Sequence, residues 1–264
     1  MASIPKQIWL WWEQGWEKAP FICSYTIKSF EKLNPEFQIN LVCKKNLSNY
    51  LEDYEWVFEC EGPAFRADII RLLLLKKYGG VYSDAVTFCC VNLNDFLQEI
   101  SFDRFWAFDI KSFNELRNDK RTVASWFYIS TENNYLINTF TNVFIEKAKQ
   151  NPKIHHYFLH HHTLTELIES DREFEKWYEN LTKISAFQNR IQTKYLDAMI
   201  DKIQIKEPEW FHPRNIKASI DNDQFKIIKL RHRNIASQNQ LLKANTVFHH
   251  LCFSFMNTTD SNLS

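Results

Sequence analysis

Two carboxylates and a guanidinium fall within one short stretch: Asp68, Arg71 and Asp84. Asp68 and Arg71 are three residues apart, so a helix would set them on one face. Asp84 follows a Gly79-Gly80 pair and the strand-like run Val81-Tyr82-Ser83. Such a set can accept hydroxyl groups, ligate a cation and pair with an anion. Carboxylates accept hydrogen bonds from hydroxyls and ligate hard divalent cations. An arginine supplies a fixed positive charge for phosphate. The blander alternatives are a surface ion pair, worth little, and a solvated turn residue at Asp84. Against the first, Asp68 and Arg71 lie among Phe65, Ile69, Ile70, Leu72, Leu73 and Leu74. Charges embedded in an apolar segment are usually paired or functional.

Those side chains need a scaffold, and the flanking residues describe one. Pro63 suits a first helical turn. Phe65, Ile69, Leu72 and Leu73 form an apolar helix face that can pack on a sheet. Gly79-Gly80, two of the four glycines in the chain, stop that helix. Val81 and Tyr82 then run along an edge of the sheet and deliver Asp84 at the strand end, where open α/β sheets bind ligands. Elsewhere, residues 4–12 and 38–43 read as strands, and 21–33 as a helix ended by Asn34-Pro35. Residues 46–54 read as a short helix or loop. Residues 104–110 and 123–130 are further strands. Residues 132–150, with Thr131 as cap, and 163–180 are helices. Strand–helix alternation up to residue 130 implies a mostly parallel sheet with helices on both faces. The part from 131 to 256 is mainly helical, and 257–264 is a polar, frayed tail.

At 264 residues, with 45% hydrophobic and 16% aromatic content, the chain can bury a sizeable core in one domain. The 32 basic residues balance 32 acidic ones. That argues against a nucleic-acid partner, which would call for a basic excess. The six cysteines show no CxxC pair and no metal spacing, so they read as reduced thiols of a cytoplasmic protein. No apolar run approaches the length of a membrane span, and residues 1–6 lack the order of a secretion signal.

The chain resembles the capsular polysaccharide synthesis family and, more broadly, the DxD-containing sugar-binding glycosyltransferases. The motifs that carry the resemblance are Ala67-Asp68-Ile69-Ile70-Arg71 and Tyr78-Gly79-Gly80-Val81-Tyr82-Ser83-Asp84-Ala85-Val86-Thr87. Ile4-Pro5-Lys6-Gln7-Ile8-Trp9, Ser125-Trp126-Phe127, Tyr157-Phe158-Leu159 with His161, and Lys229-Leu230 add to them. The resemblance implies a GT-A type fold, a Rossmann-like mostly parallel sheet flanked by helices with a helical C-terminal addition. It implies a retaining hexosyltransferase that uses a nucleotide-diphosphate sugar, UDP-sugar first among them. The acceptor would be an oligosaccharide or lipid-linked glycan of capsule, O-antigen or another surface polysaccharide. Synthesis would take place on the cytoplasmic side, with peripheral association at the inner membrane face.

The same resemblance assigns roles. Asp84, Asp68 and Arg71 would be the catalytic set. Ile8, Trp9, Trp11, Arg66, Tyr82, Ser83, Ala85, Ser125, Trp126 and Lys229 would line the donor site. One of Trp9 or Trp11 would stack on the nucleobase, the alternative being core packing for both. For Lys229, with Arg231 beyond it, the alternative to phosphate binding is the gatekeeping charge of an edge strand. Arg66 could equally be an exposed residue. The divalent cation, Mn²⁺ or Mg²⁺, would rest on Asp84, because Val86 occupies the second Asp position of the motif and cannot ligate; Ser83, His249, His250 or water would complete the shell. His161 and His156 would face the acceptor. His155, His156, His160, His161 and His162 also permit i, i+4 pairs on a helix, but the Glu that accompanies catalytic zinc motifs is absent. Val86 also keeps open a non-catalytic carbohydrate-binding or assembly protein built on the same fold.

Overall fold

The computed structural model describes residues 3–110, 120–150, 152–153, 157–186, 226–230, 248–249 and 251–252. The chain divides into two compact units. The first comprises Met1–Ala19, Glu36–Asp84 and Leu97–Phe187, and the second Pro20–Pro35, Ala85–Phe96 and Gln188–Ser264.

The first unit is built on a five-stranded sheet of order β2-β1-β3-β6-β5. Its strands are β1 (Gln7–Trp11), β2 (Gln38–Val42), β3 (Gly80–Asp84), β5 (Phe105–Asp109) and β6 (Val123–Ser130). β1 pairs in parallel with β2 and β3, whereas β6 pairs antiparallel with both β3 and β5. Four strands therefore point one way and β6 alone points back, a mixed α/β sheet that is mostly parallel. The expected edge position of Val81 and Tyr82 is corrected: β3 is the central strand. A strand with neighbours on both sides and helices over the sheet is buried on both faces. Val81, Tyr82 and Ser83 are all buried.

Directly paired residues share a face of a sheet. Trp9, Trp11, Tyr82, Asp84 and Tyr128 therefore project to one side, and Ile8, Leu10, Val81 and Phe127 to the other. The first side receives helix α2 (Pro63–Tyr78), which packs on β1, β3 and helix α4 (Tyr135–Gln150). Phe65 meets Phe144 of α4 edge-on at 5.8 Å. The wedged position changes the apolar pattern expected of α2. Ile70, Leu74 and Leu75 are fully buried with Phe65, Ile69 and Leu72, while Leu73 is only half-buried. A helix contacted on most of its circumference has no single apolar stripe.

Gly79 and Gly80 make the turn from α2 into β3 with φ of +60° and +89°. A Cβ on Gly80 would stand 2.5 Å from the Gln7 carbonyl oxygen, so the close β1–β3 approach as well as the backbone angle demands glycine. Two other boundaries differ from the sequence reading. α4 begins at Tyr135, with the Asn134 side chain accepting from Ile137 N–H, rather than at a Thr131 cap. The helix expected over 163–180 is two, α5 (Leu159–Ser170) and α6 (Arg172–Asn180), separated at Asp171. The Asp171 carboxylate accepts from Glu173 and Phe174 N–H and so starts the second helix.

The second unit contains α1 (Ile22–Leu33) and the antiparallel pair β4 (Thr87–Cys89) and β7 (Ile227–Lys229). Asn34 ends α1 as expected, and its buried side chain accepts from Leu93 N–H at the start of α3 (Leu93–Glu99). Ser29 of α1 accepts from Cys89 N–H, tying the helix to β4. All six cysteines are buried and none forms a disulfide. Among the described residues no helix is long and apolar enough to cross a membrane.

Candidate active site

Helix α2 and the C-terminal end of β3 bring Asp68, Arg71 and Asp84 together. Arg71 Nη1 donates to Asp68 Oδ1 at 2.5 Å, and Nη2 to Asp84 Oδ1 at 3.2 Å. The guanidinium lies over the Tyr82 ring, 4.8 Å from its centroid. Arg71 and Asp68 are 4% and 9% exposed, and the Asp84 side chain 24%. The group thus opens toward solvent at its strand-end carboxylate. The Arg71 guanidinium sits between two carboxylates. Burial works against a charged Arg71, but Asp68, Tyr82 and Asp84 outweigh it and raise its pKa, so it is a permanent cation.

Two further residues complete this cluster and escaped the sequence reading. Tyr128 stands opposite Tyr82 on β6. His160 of α5 stacks on Tyr128 with ring centroids 5.7 Å apart. Its Nε2 is 2.8 Å from the Tyr128 hydroxyl, and its Nδ1 is 3.9 Å from Asp68 Oδ1. Burial, then Arg71, then His161 push the His160 pKa well down. Burial pushes the Tyr82 and Tyr128 hydroxyls up, against the opposing pull of Arg71. Both phenols and the imidazole are therefore neutral near pH 7. Tyr128 lies two residues beyond Trp126, but the β5–β6 register shifts beyond the Ala107–Tyr128 pair, so strand alternation alone did not place it. His160 was hidden inside a histidine-rich run; of its described members His160 is buried and His161 and His162 are half-buried.

The remaining candidates distribute around this centre. Trp11 pairs with Asp84 in the β1–β3 register and shares its face. Trp9 is 2% exposed; its indole N–H donates to the Gly79 carbonyl, and its ring packs on Tyr50 and Tyr78. Of the two, Trp11 is the one beside the carboxylate. Ile8 faces the opposite side of the sheet and is fully buried, as is Ser83. Arg66 forms a bidentate pair with Glu13, at 2.9 and 2.8 Å, and donates to the Cys60 carbonyl. It ties the loop after β1 to the first turn of α2. Ser125, half-buried, and Trp126, stacked on Phe108 at 4.7 Å, precede Phe127, the partner of Ser83. The antiparallel β6 thus brings them toward the Asp84 end of the sheet. His161 is half-buried beside Phe158. Ala85, Lys229 and His249 belong to the second unit, where the Ala85 carbonyl accepts from Thr26 and Lys229 pairs with Thr87. His156, His250 and Arg231 lie outside the described residues.

Among the described residues no group of three or more His, Cys, Asp or Glu side chains converges as a metal cage. Val86 puts an apolar side chain where a second carboxylate ligand would stand. A divalent cation here would have Asp84 as its carboxylate ligand and would need its other oxygens from phosphate and water.

In open, mostly parallel α/β sheets the carboxyl ends of the strands are where ligands bind, and Asp84 stands at the end of the central strand. The family model for capsular polysaccharide synthesis protein matches residues 1–231, and the chain belongs to that family. No curated protein matches it. Among solved structures it is similar to one titled "PaToxG Glycosyltransferase", with 15% identity and a TM-score of 0.47, over 67% of this chain and 76% of that one.

Proposed function

We infer that this protein is a retaining glycosyltransferase that moves a hexose from a UDP-sugar onto a glycan acceptor of a surface polysaccharide. The observation that carries the reading is the convergence of Asp68, Arg71 and Asp84 at the carboxyl end of the central strand. Membership of a capsule-synthesis family supports it. In the reaction the bond from the anomeric carbon to the diphosphate oxygen breaks. A new bond forms from that carbon to an acceptor hydroxyl, on the face the leaving group departs from. The acceptor proton passes to the departing phosphate, so no protein base is required.

Asp68 accepts hydrogen bonds from the sugar hydroxyls. Arg71 holds Asp68 by its hydrogen bond and offers positive charge toward the sugar and diphosphate. Asp84 would face the ribose and diphosphate and would hold Mn²⁺ or Mg²⁺, which would neutralise charge on the leaving group. Trp11, next to Asp84, is the ring we assign to the nucleobase, with Arg66, Tyr82, Ser125 and Trp126 assigned to the donor and His161 to the acceptor. The site of action is the cytoplasmic side of the inner membrane. Val86 favours a second reading, a sugar-binding protein without turnover. A thermal-shift screen of nucleotide sugars with and without Mn²⁺, followed by assay of UDP release, separates them. Binding raises the melting temperature in either case, whereas only a transferase slowly hydrolyses its donor.

A further inference from the structure

We propose that His160 is a positioning residue for Asp68, held as a neutral imidazole with its single proton on Nδ1. The proposal rests on the donor-sugar role of Asp68 only for its consequence, not for the tautomer. His160 is 1% exposed and reaches the cluster from α5, while Asp68 and Arg71 come from α2, Tyr82 from β3 and Tyr128 from β6. Phe140 and Phe144 of α4 pack edge-on against it with ring centroids 4.9 and 5.2 Å away. His161 is its titratable neighbour on α5.

Three facts choose the proton's place. The Tyr128 hydroxyl is buried and keeps its proton, and His160 Nε2 lies 2.8 Å from it. A hydroxyl that donates to Nε2 leaves that nitrogen bare, and a neutral ring must then carry its proton on Nδ1. The opposite tautomer would aim a bare Nδ1 lone pair at Asp68 Oδ1, 3.9 Å away, acceptor against acceptor. Nδ1–H instead points a positive hydrogen at a carboxylate. Among the described residues Nδ1 has no hydrogen-bond partner. A shift of about 1 Å closes the contact, as catalytic hydrogen bonds commonly tighten when ligand binds. The imidazolium is disfavoured by burial and by Arg71. Asp68 Oδ1 is then fixed from two directions, by Arg71 and by His160. The carboxylate is locked in one rotation for a sugar hydroxyl.

The test uses the full chain with ¹⁵N-labelled histidine. Long-range proton–nitrogen NMR reads which ring nitrogen carries hydrogen, with His160→Phe assigning the signal. We expect Nδ1–H, unchanged between about pH 6 and pH 8, where ordinary histidines titrate. Tyr128→Phe should release the ring to the Nε2–H form. Protonation on Nε2 in the native protein, or an imidazolium in that range, overturns the proposal. The consequence is read by calorimetry with UDP, UDP-glucose and UDP-galactose. His160→Phe should weaken the bound UDP-sugar roughly tenfold, the size of one hydrogen bond to a charged group, and leave UDP unmoved. His160→Asn, whose amide N–H can replace Nδ1–H, should recover most of it. Equal sugar affinity in His160→Phe and native protein contradicts the positioning role. If the native protein binds neither UDP-sugar, the donor reading fails, and the tautomer measurement alone decides the proposal.

Discussion

Arg71 Nη2 lies 3.2 Å from Asp84 Oδ1, joining residues thirteen apart across the turn between helix and strand. One buried cation thus fixes the strand-end carboxylate relative to the helix that carries Asp68. Replacing a buried ion pair whole is often harmless, but removing one partner strands the rest. Arg71→Ala should therefore lower stability by about 3–5 kcal/mol in urea unfolding. A loss below about 1 kcal/mol, the scale of exposed pairs, would mean that the carboxylates are solvated rather than held.

Asp68→Asn is nearly isosteric and should leave a folded protein that still binds UDP. It should lose about 2–4 kcal/mol of transition-state stabilisation, since a charged hydrogen bond to ligand becomes a neutral one. Initial rates with a UDP-sugar against UDP affinity check this. Equal loss of UDP binding and of fold would make Asp68 structural.

The charge state of His160 predicts acid lability. Its folded pKa is depressed, so the native ring stays neutral while the unfolded chain takes up a proton below about pH 6.5. The unfolded state then binds more protons, and stability falls as pH drops through that value. Above it the contribution is fully present. His160→Phe should flatten the stability profile between about pH 6.5 and pH 5. A native profile that is already flat there would show that the ring titrates normally.

How much of this was legible in the sequence depended on the range of the interaction. The helix–Gly-Gly–strand unit from Pro63 to Asp84 was readable because proline, glycine and apolar spacing act locally. The placement of β3 in the sheet was not, since an apolar run looks alike at a centre and at an edge until its partners are known. The break at Asp171 was missed because a capping aspartate inside a helical pattern resembles an exposed helix residue. Trp9 and Trp11 are the same residue type on the same strand face. Only the packing of Tyr50 and Tyr78 on Trp9 distinguishes the anchor of the core from the ring beside Asp84. His160 joined the site only through tertiary contacts from three other elements.

Burial pushes the Cys23 and Cys89 thiols up to about 12. Both should resist alkylation by iodoacetamide at about pH 8, where an exposed thiol reacts as the thiolate, and should react once urea unfolds the chain. Mass mapping follows the modification. Rapid labelling of Cys23 in the native state, or a disulfide at any cysteine, would contradict the buried, reduced assignment.

Gly80→Ala places a Cβ 2.5 Å from the Gln7 carbonyl at a φ of +89°. Strain alone should cost about 1–3 kcal/mol, and the β1–β3 clash adds to it. The melting temperature should fall well below that of Leu73→Ala on the half-buried side of α2. Equal melting temperatures would mean that β1 and β3 do not approach as described.

The measurement that bears most directly on the transferase reading is release of UDP from UDP-sugars, with Mn²⁺ or excess chelator, by the native protein and by Asp84→Ala. We expect slow donor hydrolysis by the native protein with Mn²⁺, accelerated by a glycan acceptor and abolished in Asp84→Ala. Sugar binding without any UDP release would contradict the account and leave a carbohydrate-binding protein. Undiminished release by Asp84→Ala would remove the strand-end carboxylate from the chemistry.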